Sequence, residues 1–257
     1  MSNPLISVII PSYNRFEYLL NALDSIKGQT FEDYEIIIVN DGSSDERYNN
    51  YNFGQKIKKI DLKVNQKQQI GFVSDGHIRN FGIKEAKGKY IAFLDDDDIW
   101  LPKKLELQFN ALENSNYKMC STEGLIGEGV YDSSKKYKKY NEEYYFEAIK
   151  KKFSNTEFYT RKQRLSNKEF SFPKIWEFDF LKVHNCVIAS SVLVEASLLK
   201  FLGGFRPIPS LNIKKNTNDY APDYDCWLGL LRLTSLIYIN EPLIYYDDGH
   251  GDGIQWN

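Results

Sequence analysis

The sequence predicts an α/β fold, a mostly parallel central sheet with helices packed against it. Three apolar runs carry the prediction: LISVII at 5–10, EIIIV at 35–39 and YIAFL at 90–94. Each is short, nearly continuous and closed by a polar turn, the pattern of a strand buried on both faces. Helical spacings of apolar residues fill the intervals. Strand and helix therefore alternate as in an open sheet, where ligands bind beyond the carboxyl ends of the strands.

The first strand ends at Pro11, and Asn14 with Glu17 three residues on reads as a capping box. Phe16, Leu19, Leu20, Leu23 and Ile26 recur at helical spacing, and Gly28 closes that helix. The second strand breaks into Asn40-Asp41-Gly42-Ser43-Ser44, a turn cluster. A third short strand is expected over 58–64, and a second helix over 74–86 with Ile78, Phe81 and Ile83 on its apolar side. The run at 90–94 ends at Asp95-Asp96-Asp97-Asp98. Pro102 then suits the first turn of a third helix, with Leu105, Phe109 and Leu112 inward.

From about residue 121 the pattern changes. Residues 133–182 are rich in Lys, Tyr, Phe and Glu, and their basic clusters read as a solvated helix and loop. Aromatic residues make up 15% of the chain and much of that falls over 131–180, where most rings read as packing and a few as acceptor contacts. Order returns over 187–194 and 198–205. A helix is expected from Asp223 to about Leu233, then two strands, 236–239 and 243–246, separated by Asn240-Glu241-Pro242.

The chain has 257 residues, enough for one sizeable α/β body. Its net charge of -2 argues against a nucleic-acid partner, whose footprint is normally basic. Cys120, Cys186 and Cys226 lie far apart and odd in number, which disfavours a disulfide scaffold and fits a reducing, cytoplasmic setting. No apolar run reaches the roughly 18 residues of a membrane span, although peripheral membrane contact stays open. There is no GxGxxG after a strand and no P-loop, which disfavours a dinucleotide oxidoreductase or P-loop enzyme.

The chemistry gathers at the strand ends. Carboxylates packed as closely as Asp95 to Asp98 repel, so burying them requires a cation. On an extended strand end, Asp95 and Asp97 would point the same way. Hard oxygens suit Mg²⁺ or Mn²⁺ bound through one or two carboxylates plus substrate phosphates. The competing reading is a solvated acidic turn, with Asp98 capping the next helix. An EF-hand is excluded because Ile99 and Trp100 follow. Asp41, at the equivalent end of the second strand, could accept from a base or ribose, or simply form an Asx turn with Gly42. Arg79 could hold a diphosphate, or lie on a helix surface. Asp223 is open to two readings as well, general base or helix N-cap.

The segments SVIIPSYNR (7–15), VNDGSSD (39–45), HIRN (77–80) and GKYIAFLDDDDIWLP (88–102) resemble the nucleotide-binding half of family 2 glycosyltransferases. GGF (203–205), PDYDCWLGLL (222–231) and EPLIYYDDGHGDG (241–253) resemble that family's acceptor half. The likeness covers 4–120 strongly and 186–253 moderately, and lapses between about 121 and 185.

The resemblance implies a GT-A (Rossmann-like nucleotide-diphospho-sugar transferase) fold. That is a single compact body with a mostly parallel sheet, a donor half over 1–120 and an acceptor half over 121–257. The acceptor half carries a variable helical lobe at about 121–185. It implies an inverting transferase taking a sugar from a nucleotide-sugar, UDP-sugar favoured and GDP- or dTDP-sugars left open, to a glycan or similar hydroxyl with Mn²⁺ or Mg²⁺. Carried over by position, Pro11, Tyr13 and Asn14 line the nucleotide pocket, Asp41 contacts the base and Arg79 is the family's helix arginine. Asp95 and Asp97 are the DxD pair for ribose and metal, with Asp96 and Asp98 leaving the register open by one. The base falls on Asp223, with Asp225 in reserve; Pro222 replaces the family's first acid there. His250 is expected near the metal or diphosphate, or in a mobile glycine-rich tail. Two alternatives remain: a degenerate, non-catalytic nucleotide or carbohydrate binder, which Pro222 would mark, and a sugar nucleotidyltransferase. The second lacks the basic glycine-rich loop it needs.

Overall fold

A computed structural model describes residues 3–154, 170–209 and 221–249. The first part runs β1 (Ile6–Ser12), α1 (Phe16–Lys27), β2 (Tyr34–Asn40), α2 (Arg47–Asn50), β3 (Ile57–Asp61), α3 (Gln66–Ile70), α4 (Asp75–Glu85) and β4 (Tyr90–Phe93). After the acidic run come β5 (Ile99–Trp100), α5 (Lys104–Glu113), β6 (Met119–Gly127) and β7 (Lys138–Lys139). A π-helical turn (Tyr140–Tyr144), α6 (Phe146–Ser154), β8 (Ile175–Trp176) and α7 (Phe178–Leu181) form the lobe. The chain closes with β9 (Leu193–Glu195), α8 (Ala196–Leu202), α9 (Pro222–Leu230) and β10 (Leu236–Asp247).

Among the described residues the sheet order is β3-β2-β1-β4-β9-β6-β10-β5. Pairing is parallel through β3-β2-β1-β4 and between β6 and β10, while β9 runs antiparallel to both β4 and β6. Most paired residues are therefore parallel, as the apolar runs predict. The chain builds outward from β1 through β2 to β3, then returns to place β4 on the other side of β1. That reversal leaves a crevice at the carboxyl ends of β1 and β4.

The period-two alternation of the strands explains why their apolar runs are unbroken. Ile9, Ile37, Val39, Ile91 and Phe93 face one core, with α4, α8, α9 and the lobe. Ile6, Val8, Ile10, Ile36, Ile38 and Ala92 face the other, with α1, α5 and Tyr48.

Several expectations shift. Arg15, not Asn14, holds the N-cap position of α1, and no side chain caps it. Asn14 adopts φ 52° and turns its Oδ1 to the backbone N–H groups of Ser44 and Asp45, while Glu17 pairs with Arg47. The third strand stops at Asp61, and Pro102 lies two residues before its helix begins. The two late strands are one, β10, whose register shifts around Pro242 where the ladder loses an N–H.

The 133–182 region is more than solvated helix. Phe153 stacks on Phe170 and Phe180, and Trp176 stacks on Tyr238 at 4.3 Å, so most of its aromatic excess is packing. The lobe is pinned by Glu123 of β6, fully buried. Its carboxylate accepts from the backbone N–H groups of Gly124, Asn141 and Glu142 and from the Tyr238 hydroxyl, at 2.8–3.0 Å.

The inner face of α5 holds a surprise. Leu105 and Leu112 are buried and Phe109 partly so, yet Lys104 and Gln108 are fully buried beside them. The Lys104 ammonium lies 4.0 Å from the Trp100 ring centroid and donates to Gln108 Oε1 at 2.7 Å. Gln108 in turn donates to the Ser191 carbonyl. Burial pushes the Lys104 pKa down to about 7.

The unfolded chain, with an ordinary lysine, then binds more protons than the fold between pH 7 and the lysine range, so stability should rise with pH across that window. The slope is about 1.4 kcal/mol per pH unit at most. Thermal melts of Lys104→Met should show the variant gaining on the wild type at pH 7 and losing that advantage by pH 10. An advantage independent of pH would mean the buried lysine is charged throughout.

Candidate active site

A cavity of about 880 Å³ opens at the crevice beyond β1 and β4. Of the residues expected there, Pro11, Tyr13, Arg79, Asp95, Asp96, Asp97 and Asp223 all line it.

The acidic run is a turn, closed by the Asp98 N–H on the Asp95 carbonyl at 3.1 Å, and not an extended strand end. Its side chains therefore diverge instead of alternating. Asp95 pairs with Arg79. Asp96 accepts from Ser12 Oγ at 2.7 Å and from Arg15 Nη1 at 3.2 Å, and the same Nη1 reaches Asp97 Oδ2 at 2.7 Å. Asp98 is withdrawn from the cavity. It caps no helix but accepts from Ser190 Oγ at 2.5 Å and from the Asp247 N–H at 3.0 Å. Ser190 also receives the Asp95 N–H, so one hydroxyl ties both ends of the turn.

Burial and the neighbouring Asp97 charge hold Asp96 and Asp98 above the usual carboxylate range, against the pull of Arg15 and Ser12 on Asp96 and of Ser190 on Asp98. Burial alone works against the Arg15 charge, and Asp96 and Asp97 outweigh it.

Arg79 comes from α4, buried, with its guanidinium 5.8 Å from the Phe205 ring centroid. Close approach of α4 depends on its glycines. A Cβ at Gly82 would meet Ile9 Cγ2 at 2.5 Å, and one at Gly76 would meet Cβ atoms of Phe205 and Pro222 at 2.9 Å. The next residue, Asn80, clamps the glycine loop after α8: its Oδ1 accepts from the Phe205 N–H and its Nδ2 donates to the Phe205 carbonyl.

Asp223 is the second residue of α9, behind the N-cap Ala221, so the plain N-cap reading fails. It is half-buried. Burial raises its pKa while Arg79 and the Tyr224 N–H oppose, and the carboxylates that add to the rise are Asp95 and Asp75, not Asp225. Asp225 lies off the cavity lining and is held by Arg206. Pro222 occupies the first helical position, where a missing N–H costs nothing.

Two residues expected at the nucleotide stand off the lining. Asn14 shapes the loop at 43–45, as described above. Asp41, 1% exposed, accepts from Asn65 Nδ2 at 2.9 Å and the Gln66 N–H at 2.9 Å, and burial pushes its pKa up to about 6. His250 lies outside the described residues. Cys226 is buried core, and His184 is half-buried beside Lys152.

Sequence reasoning missed Arg15, although the requirement for a cation near the acidic run pointed to one. It directly follows Asn14 at the same sheet edge. It also missed Tyr140 and Tyr246, which line the cavity and meet edge to face at 5.6 Å. They come from the lobe and the last strand, whose approach no local pattern reveals.

Among the described residues no three acidic, histidine or cysteine side chains converge as a closed metal cage. The donor set still fits a hard cation of the Mg²⁺ or Mn²⁺ kind, because such ions take one or two carboxylates and fill the remaining positions with water and phosphate. Asp97 and Asp95, both on the lining, offer those oxygens.

A β3-β2-β1-β4 parallel core that ends in an acidic turn over an open cavity defines the GT-A class of fold. The chain belongs to glycosyl transferase family 2, whose model matches residues 7–172. It is 30% identical over 245 residues to an uncharacterized glycosyltransferase of Rickettsia typhi, covering 94% of this chain and 63% of that one. The present chain thus spans less than two thirds of that relative. Over 138 residues it is 33% identical to the UDP-Glc:alpha-D-GlcNAc-diphosphoundecaprenol beta-1,3-glucosyltransferase of Escherichia coli, covering 51% of this chain and 52% of that one.

Among solved structures, residues 1–349 of S. aureus TarS with UDP-GlcNAc superpose with a TM-score of 0.56 at 17% identity, covering 95% of this chain and 58% of that one. The mannosyltransferase PcManGT of Pyrobaculum calidifontis with GDP-Man and Mn²⁺ gives 0.59 at 14%, covering 96% and 57%. No helix among the described residues is long and apolar enough to cross a membrane.

The close approach at Gly76 is open to test. Gly76→Ala should cost about 1–3 kcal/mol through overpacking. The strain falls where α4 meets Phe205 and the first residue of α9, so the loss should appear in the melting temperature. A melt within 1 °C of wild type would show that the contact yields freely.

Proposed function

We propose that this protein transfers a sugar, with inversion, from a nucleoside-diphosphate sugar to a hydroxyl of a glycan or similar acceptor, assisted by Mn²⁺ or Mg²⁺. The observation that carries this reading is the convergence of the Asp95–Asp97 turn, Arg79 and Asp223 on one cavity. Residues 1–120 supply the donor side and residues 121–257 the acceptor side, with Tyr140, Tyr246 and Asn185 as its wall. UDP is the favoured nucleotide, in keeping with the relative named for UDP-Glc and the structure holding UDP-GlcNAc.

Inverting transfer needs a base at the acceptor hydroxyl and neutralisation of the departing diphosphate. Asp223 takes the first role. Burial holds its pKa above that of an ordinary carboxylate, which strengthens it as a proton acceptor, while Arg79 keeps it ionised. Asp95 and Asp97 would hold the cation, which when bound neutralises the leaving group as a Lewis acid. Arg79 presents positive charge at the same wall, and Tyr13 offers a ring for the base. A direct displacement forms no covalent enzyme intermediate, so the buried cysteines need no role.

Thermal shift with UDP, GDP, dTDP and CMP, each with and without Mn²⁺, should single out one strongly metal-dependent stabiliser. No shift with any nucleotide in the presence of metal would defeat the reading. Asp97→Asn should abolish the metal dependence. Asp223→Asn should keep nucleotide binding and lose transfer by about 10²–10⁴-fold; unchanged transfer would remove Asp223 as the base, and absence of transfer even in the wild type would favour a non-catalytic binder.

A further inference from the structure

The acidic turn carries its own cation. Arg15 is nine-tenths buried, with a side chain 9% exposed, and a single nitrogen, Nη1, bridges Asp96 Oδ1 and Asp97 Oδ2. Asp97 is also the carboxylate expected to face a divalent ion, so guanidinium and metal compete for one side chain. Charge-assisted hydrogen bonds are strong where water is scarce. An ion arriving alone would have to displace this contact and set further positive charge beside a buried guanidinium that then leans on Asp96 alone, which is unfavourable. An ion arriving with a nucleoside diphosphate escapes that penalty, because phosphate oxygens match the planar fork of Arg15, which lines the same cavity.

We propose that Arg15 makes divalent-cation binding at Asp97 conditional on a nucleoside diphosphate: it holds the carboxylate in the free protein and exchanges it for phosphate when the donor enters. Arg79 does not share this role. It is paired with Asp95 and stands among Asp75 and Asp223 as well, so its charge is balanced without Asp97. The proposal rests on the donor reading above, but it makes a statement about the free protein that can be measured separately.

The test is direct Mn²⁺ binding to the full chain, read from loss of the free-ion electron paramagnetic resonance signal, with and without UDP and with the Mn²⁺ that UDP takes up without protein subtracted. In the wild type, saturating UDP should tighten Mn²⁺ binding about tenfold or more, and in Arg15→Gln Mn²⁺ alone should bind about tenfold more tightly than in the wild type. UDP should then tighten Mn²⁺ binding less in the variant than in the wild type, the remaining gain coming from the phosphate oxygens that the ion takes. If Arg15→Gln binds Mn²⁺ alone no better than the wild type, or if the wild type takes up Mn²⁺ equally with and without UDP, the proposal is overturned. Circular dichroism checks that the variant is folded. Should it not be, Arg15→Lys keeps the charge without the fork and must show the same ordering to a smaller extent. Failure of the donor reading looks different: GDP, dTDP and UDP all fail to bind, while the comparison of Mn²⁺ alone between wild type and variant still decides the role of Arg15.

Discussion

Four consecutive carboxylates at the end of a central strand repel one another, and the cavity edge of this protein is organised around holding them. Their donors come from several elements: Arg79 of α4 for Asp95, Ser12 of β1 for Asp96, Arg15 for Asp96 and Asp97 together, and Ser190 with the Asp247 N–H for Asp98. Segments separated by up to 149 residues along the chain are thereby drawn to one turn. Repulsion that would splay an isolated turn instead recruits the helix, the first strand and the last strand to a common point.

Close backbone approach makes those donors available. Arg79 can reach Asp95 because Gly82 lets α4 lie against Ile9, and Asp223 stands in the same field because Gly76 admits Pro222. Asn80 then locks the loop after α8 through both backbone groups of Phe205. Four residues within about two turns of α4, Gly76, Arg79, Asn80 and Gly82, thus serve the sheet, the cavity, the loop after α8 and α9 at once. The weak amphipathicity of α4 has the same cause: several of its positions meet demands of contact distance and charge, not of apolar surface.

Much of this was legible in the sequence, and the reason is physical. Strands buried on both faces must be continuously apolar, so 5–10, 35–39 and 90–94 announced themselves, and the polar residues that stop them marked the ligand edge. What was hidden depended on tertiary partners. Asn14 has the local signature of a cap, but its φ of 52° commits its side chain to the loop at 44–45. Asn240-Glu241-Pro242 looks like a break between strands, yet pairing with β6 on both sides carries β10 through it. Lys104 fits no amphipathic pattern because its partners, Trp100 and Gln108, must be folded around it first. The lobe resisted reading for a related cause, since rings that pack on one another need no period along the chain.

The way the lobe is fastened has a bearing on how such proteins diversify. Glu123 grips the π-helical turn through the main-chain N–H groups of Asn141 and Glu142, not through their side chains. Any residues there, proline apart, present the same two donors. The anchor itself therefore makes no demand on the side chains of the element that carries Tyr140 to the cavity rim, although Asn141 is buried there and donates to the Cys186 carbonyl. Exposed positions along that rim can therefore change without loosening its attachment to β6.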